Sequence, residues 1–213
     1  MNERHRTRIV NRHRDSLSRH GCDSRALYWS SREIQEIRFR ELAGIGVATG
    51  DSVLDVGCGF GDFLGWSAEQ GIAIDFTGID LSPDLLAVAE QRHPEASFYC
   101  GDLADYCEAH SDQFDWVILS GALNEQLGDS DEYTRRVITL MWSRCRKGVA
   151  FNLLDARHAP TKNCWDLQSH EPESILAFAA GLTPKHRLVE GYLDNDFTIY
   201  LYRDPRPKRP NAA

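Results

Sequence analysis

The segment Asp55-Val-Gly57-Cys58-Gly59-Phe-Gly61-Asp62 sets two carboxylates around three alternate glycines. Glycines so placed allow a tight turn and let a ligand lie directly on the backbone. Asp80 comes nineteen positions after Gly61, close to the ~20 expected of a carboxylate that holds ribose hydroxyls. A further acidic residue, Asp102, follows Gly101 and is able to accept a hydrogen bond from an adenine amino group. The chemistry this set suits is capture of a nucleoside. Cysteine chemistry is less well served: the six cysteines form no CxxC pair and no zinc-ligand spacing, so they read as reduced thiols and no metal site is expected.

Positioning such residues takes strands that end at them. Ser52–Gly57 is a short Val-rich run, followed by the glycines and an amphipathic segment through Gln70, which together read as strand, turn and helix. Further strands are expected at Asp75–Leu81, Ser97–Cys100, Phe114–Ser120 and Val149–Leu154. Helices are expected at 32–43, at Asp84–Arg92 behind a Ser82-Pro83 cap, at 131–147 closed by Gly148, and at Glu173–Ala180. Segments 186–193 and 197–203 flank Asp194-Asn-Asp196 and read as an antiparallel hairpin. The pattern implies an α/β chain with a doubly wound, mostly parallel sheet, whose ligand sits beyond the strands' carboxyl ends.

The glycine spacing, Gly57-x-Gly59-x-Gly61, departs from the GxGxxG of nicotinamide enzymes, and no Tyr-x-x-x-Lys pair is present. From Ser52 to Arg203 the chain resembles the class I S-adenosylmethionine-dependent methyltransferases. VLDVGCGFGD, TGIDLS, GDL and FDWVILSGAL match that family's motifs in order. The resemblance implies a seven-stranded Rossmann-like sheet with one reversed strand, and S-adenosylmethionine as cofactor. Asp55, Gly57, Cys58 and Gly59 would cradle the methionine portion, and Asp80 would hold the ribose with Leu81 against the adenine. Asp102 and Leu103 would read the adenine edge, and Ser120 would lie beside the sulfonium. Asp62 is a further cofactor candidate, although it also suits a helix's first turn. The methionyl carboxylate needs a cation or backbone amides; Arg32 and Arg38 are candidates, with Tyr28 and Trp29 able to cover the methionine.

For the acceptor, absences carry the reading. The fourth strand ends Ser120-Gly-Ala-Leu-Asn124, with neither the motif of DNA amine methylation nor an aspartate for a catechol-type metal site. Asn124 and Asn152 are candidates to orient a substrate amine or carbonyl. The eighteen-residue loop 155–172 suits a binding loop, and it offers His158 as a base together with Asn163, Trp165 and His170. The leading function is methyl transfer to N, O, C or S of a small molecule. Cyclisation of S-adenosylmethionine to azetidine-2-carboxylate, releasing methylthioadenosine, and non-catalytic binding of the cofactor stay open.

Composition sets the outer bounds. The 213 residues are 42% apolar and 26% charged, ordinary for one globular unit. The longest charge-free stretch, Ser174–Pro184, is far shorter than a membrane span; a cytoplasmic monomer or homodimer is expected. The net charge is −8, yet residues 1–20 hold six Arg against Glu3 and Asp15. An acidic body argues against a nucleic-acid partner. Residues 1–48 are expected to form a helical lid, 49–203 the cofactor-binding domain, and 204–213 a disordered tail.

Overall fold

The computed structural model of the chain describes residues 1–126 and 130–203. Helix α1 (Glu3–His20) starts where the Asn2 side chain accepts from the His5 amide, and stops at Gly21, where φ is +60°. A single 3-10 turn (Ser24–Leu27) leads to α2 (Arg32–Ala43), capped by Ser31. Strands and helices then alternate: β1 (Ser52–Val56), α3 (Asp62–Glu69), β2 (Asp75–Asp80), α4 (Pro83–Arg92), β3 (Ser97–Cys100) and α5 (Leu103–Ala109). The series continues with β4 (Phe114–Ser120), α6 (Ser130–Arg144), β5 (Cys145–Leu154) and a short α7 (Ala159–Lys162). It closes with α8 (Pro172–Leu182), β6 (His186–Val189) and β7 (Asp196–Tyr202).

The seven strands make one sheet in the order β3-β2-β1-β4-β5-β7-β6. Neighbours from β3 to β5 are parallel, and β7 alone runs against both β5 and β6. This is the Rossmann-like sheet with one reversed strand that the sequence implied. Period-two alternation divides each central strand between two apolar layers. Trp116 and Ile118 of β4 face a core with Phe39 and Leu42 of α2 and Phe63 and Trp66 of α3. Val117 and Leu119 face the other core, with Tyr106 of α5, Ile138 and Met141 of α6, and Ile175 of α8. Helices cover both faces, so the strands read as near-continuous apolar runs. Strand order reverses between β1 and β4, and their carboxyl ends open the crevice where such sheets hold ligands.

Four boundaries differ from the sequence reading. Helix α5 went unpredicted because its seven residues are too few to display a period; an Asp102–Asp105 capping box specifies its start instead. Helix α6 ends at Arg144, and Gly148 lies inside β5 rather than closing a helix. A Cβ at Gly148 would stand 2.3 Å from the Leu201 carbonyl oxygen, so the close pairing of β5 with β7 selects this glycine. Within the 1–48 segment expected as a lid, α2 packs into the core through Phe39 and Leu42 and also lines the crevice with Gln35 and Arg38, beside α1 and the 3-10 turn. The loop 155–172 contains α7 and is tied by bridges of Glu125 to Leu167 and Asp155 to His170. The tail 204–213 lies outside the described residues.

Candidate active site

A cleft of about 230 Å³ lies beyond the carboxyl ends of the central strands, walled by α1 and the 3-10 turn on its open side. Its floor is the turn after β1. Gly57 and Gly59 both have positive φ, at 79° and 55°. A Cβ at Gly57 would sit 2.3 Å from that of Ala122, so the turn after β4 can cross it only because no side chain is there. The Gly57 and Cys58 amides donate to the Ile79 carbonyl at 2.8 and 3.0 Å, which fixes the turn to β2.

Asp80 joins two of these turns. One of its oxygens accepts from the Gly59 amide at 2.9 Å and the other from the Ser82 amide at 2.8 Å. Burial raises its carboxyl above the ordinary range, while those amides and His13 pull the other way. Asp55, only 4% exposed, has no hydrogen-bond donor among the described residues. Its pKa is pushed up to about 8 by burial first, then by Asp80 and Asp62. A buried carboxyl without a partner, facing a cleft, is an acceptor prepared for a cation. Cys58 is buried, and burial raises its thiol well above the ordinary value; it is an inert turn residue.

Leu81, Leu103, Ser120 and Asn124 all line the cleft. Asp102 does so too, but α1 engages it. Its Oδ1 caps α5 by accepting from the Ala104 and Asp105 amides. Its Oδ2 takes Arg6 Nη2 at 2.6 Å and the amino terminus at 3.4 Å. Arg38 also reaches the cleft, but it is buried and ion-paired with Asp196. The Arg38 Nε donates to Asp196 at 2.6 Å, and the guanidinium lies 4.6 Å from the Trp29 ring centroid. Tyr28 holds left-handed backbone, φ 63°, and donates its hydroxyl to the Arg12 carbonyl at 2.9 Å. That bond anchors the 3-10 turn to α1.

Three expected site residues lie elsewhere. Asp62 does not line the cleft; it binds Arg92 and Gln35, both at 2.9 Å, from the first turn of α3. Asn152 is buried behind Ser120, whose Oγ donates to it at 3.4 Å. His158 precedes α7, bonds Thr161 at 2.7 Å and does not line the cleft. Arg32, the alternative cation, ion-pairs with Glu36 on the surface. His170 packs against α6, between Asp131 and Thr134, and Trp165 is 88% exposed.

Sequence reasoning missed His13, Glu125 and Arg12, which line the cleft from α1 and from the loop after β4. The signal was present for one of them. His13 sits four residues from both Ile9 and Leu17, on the inward stripe of α1. Burial holds its imidazole below the ordinary value, against the pull of Asp80 and Glu125.

Comparison with known proteins agrees with this geometry. A family described as "Methyltransferase domain" matches residues 53–148, from β1 into β5. A Mycobacterium tuberculosis protein named as a methyltransferase, Rv1506c, is 27% identical over 158 residues, covering 70% of this chain and 92% of that one. Trans-aconitate 2-methyltransferase of Delftia acidovorans is 31% identical over 96 residues, which are 45% of this chain and 36% of that enzyme. Magnesium protoporphyrin IX methyltransferase from Synechocystis PCC 6803, solved with bound SAH, superposes with a TM-score of 0.62 at 16% identity. That match covers 80% of this chain and 83% of the other. Residues 53–148 thus match a methyltransferase domain, and the sheet has the fold of solved S-adenosylmethionine-dependent methyltransferases.

Proposed function

We propose that the chain transfers the methyl group of S-adenosylmethionine to a small-molecule acceptor by in-line displacement. The observation that carries the reading is Asp55. A buried carboxyl with no protein partner, beside a glycine turn whose missing Cβ atoms leave the backbone bare, fits the ammonium of a methionyl group. Asp80 would accept the ribose hydroxyls with the lone pairs that the Gly59 and Ser82 amides leave free. Leu81 and Leu103 would flank the adenine, and Asp102 would accept from its edge once the amino terminus and Arg6, which occupy its Oδ2, give way. The guanidinium N–H groups of Arg38 not turned to Asp196 would meet the methionyl carboxylate, beneath Trp29 and Tyr28.

The bound cofactor supplies a methyl carbon already activated by a sulfonium. The protein's part is alignment, which is able to contribute on the order of 7–11 kcal/mol. Ser120 and Asn124 stand at the end of β4, where they would orient the acceptor. Helix α1 would exclude water and stray nucleophiles from the reacting atoms.

The test is to incubate the protein with methyl-labelled S-adenosylmethionine and a panel of small amines, alcohols, thiols and carboxylic acids. Labelled product with S-adenosylhomocysteine is the expected result. Methylthioadenosine as the sole product would replace transfer by cyclisation or lysis, and absence of cofactor binding in calorimetry would overturn the reading. Asp80→Ala should weaken cofactor binding by ~1–3 kcal/mol, the range for a charged hydrogen bond. Unchanged affinity in that variant would remove Asp80 from the ribose site.

A further inference from the structure

Among the described residues, three buried polar atoms that line or adjoin the cleft make no hydrogen bond: His13 Nδ1, Asn124 Oδ1 and Glu125 Oε1. They come from two elements, α1 and the loop after β4, and those elements meet over the end of β4. Glu125 is held in place by Arg12, whose Nη1 donates to Oε2 at 2.7 Å, and by Arg8, whose Nη2 ion-pairs with Oε1 at 3.1 Å. The His13 ring is set edge-on to Tyr28, with centroids 5.5 Å apart. A buried Nδ1 that makes no hydrogen bond among the described residues suits the lone-pair nitrogen of a neutral ring. Leaving His13 Nδ1 and Asn124 Oδ1 buried and unpaired is costly unless a ligand completes them.

We propose that these atoms form the methyl-acceptor subsite, that it takes an N–H or O–H nucleophile, and that His13 is the base receiving its proton. The inference rests on the cofactor reading above and extends it to the acceptor. Asn124 Oδ1 and Glu125 Oε1 offer only lone pairs, so the acceptor must bring hydrogen. A carboxylate would face them with lone pairs of its own and be repelled.

The step balances as follows. The acceptor's lone pair forms the new bond to the methyl carbon, and the carbon–sulfur bond breaks with its electron pair going to sulfur. The acceptor's proton passes to His13 Nδ1. The groups facing the imidazole are Asp80 from the end of β2, Glu125 from the loop after β4, Arg12 on α1 and Tyr28 from the 3-10 turn. Desolvation outweighs the two carboxylates, so the ring is neutral and basic at neutral pH.

Nitrogen-15 NMR of histidine-labelled protein saturated with S-adenosylhomocysteine tests this without a known acceptor. His13→Gln assigns the signal by difference. The expected result is an unprotonated Nδ1 at neutral pH whose resonance moves with ethanolamine and not with acetate. A protonated Nδ1, no movement with ethanolamine, or equal movement with acetate would overturn the proposal. With an acceptor from the labelled panel, His13→Gln should lose about 10²–10⁴-fold in turnover and keep its affinity for S-adenosylmethionine. It should also lose the acidic limb of the pH–rate profile; full turnover with that limb intact would also overturn the proposal. Failure of the cofactor to bind at all would sink the proposed function instead, so the two failures are distinguishable.

Discussion

At the residue scale, Asp55 links the fold to a measurable proton. Its carboxyl, shifted from an ordinary 3.8 up to about 8 by burial, is protonated at pH 7 in the free protein. A cation binds the carboxylate form, so affinity for S-adenosylmethionine should rise with pH from 6 towards 8 and then level. Calorimetry at pH 7 in two buffers of different ionisation heat should report proton release on binding. Methylthioadenosine, which lacks the ammonium, should release none. In Asp55→Asn both the release and the rise should vanish; if they persist, another group is titrating. Stability gives the opposite sign. A group whose pKa is raised by folding loses its contribution as pH climbs through the folded value. The cofactor-free wild type should therefore weaken as pH rises towards 8, and Asp55→Asn should be flatter across the same range by denaturant melts.

At the element scale, what was legible in the sequence was whatever repeats. Strands β1 and β4 were readable because both faces are largely buried and their residues are mostly apolar, broken only by Ser52 and Asp55 in one and Asp115 and Ser120 in the other. The acidic residues at the ends of β2 and β3 were readable because a parallel sheet places strand ends side by side. What could not be read depended on contacts distant in sequence. His158 and Asn152 looked available on spacing alone. In the fold His158 is bonded to Thr161, and Asn152 is buried where it accepts from the Ser120 hydroxyl, and neither lines the cleft. Arg38 lines the cleft, but its partner Asp196 lies 158 residues away. Gly148 is the clearest case, since it read as a helix terminator and is a packing glycine against β7. Its replacement by Ala should cost about 1–3 kcal/mol, the range for overpacking a close-packed site. Urea unfolding would check this; a loss below the error of the fit would mean that β5 and β7 separate freely.

At the scale of the whole molecule, the unequal charge is resolved by docking. The six arginines of residues 1–20 looked suited to a phosphate backbone. Four of them instead meet carboxylates of the acidic body. Arg6 reaches Asp102 and Asp105, Arg8 and Arg12 reach Glu125, and Arg14 reaches Asp84. These pairs are partly exposed, so each is worth only ~0.2–1 kcal/mol. Together with the apolar contacts of Leu17, that is enough to hold α1 over the cleft and little enough to let it leave. The core on either side of the sheet begins with α2, so removing residues 1–30 should leave a cooperatively folding sheet. It should also weaken S-adenosylmethionine binding and abolish turnover, because α1 and the 3-10 turn form the cleft's outer wall. Salt should reproduce part of that loss. Raising ionic strength from about 0.05 to about 0.5 M shortens the screening length well below 10 Å. Hydrogen exchange of the α1 amides should then quicken, and cofactor affinity should fall in the full chain but not in the truncated one. Equal salt dependence in both chains would mean that the arginines act on the cofactor site by some route other than holding the lid.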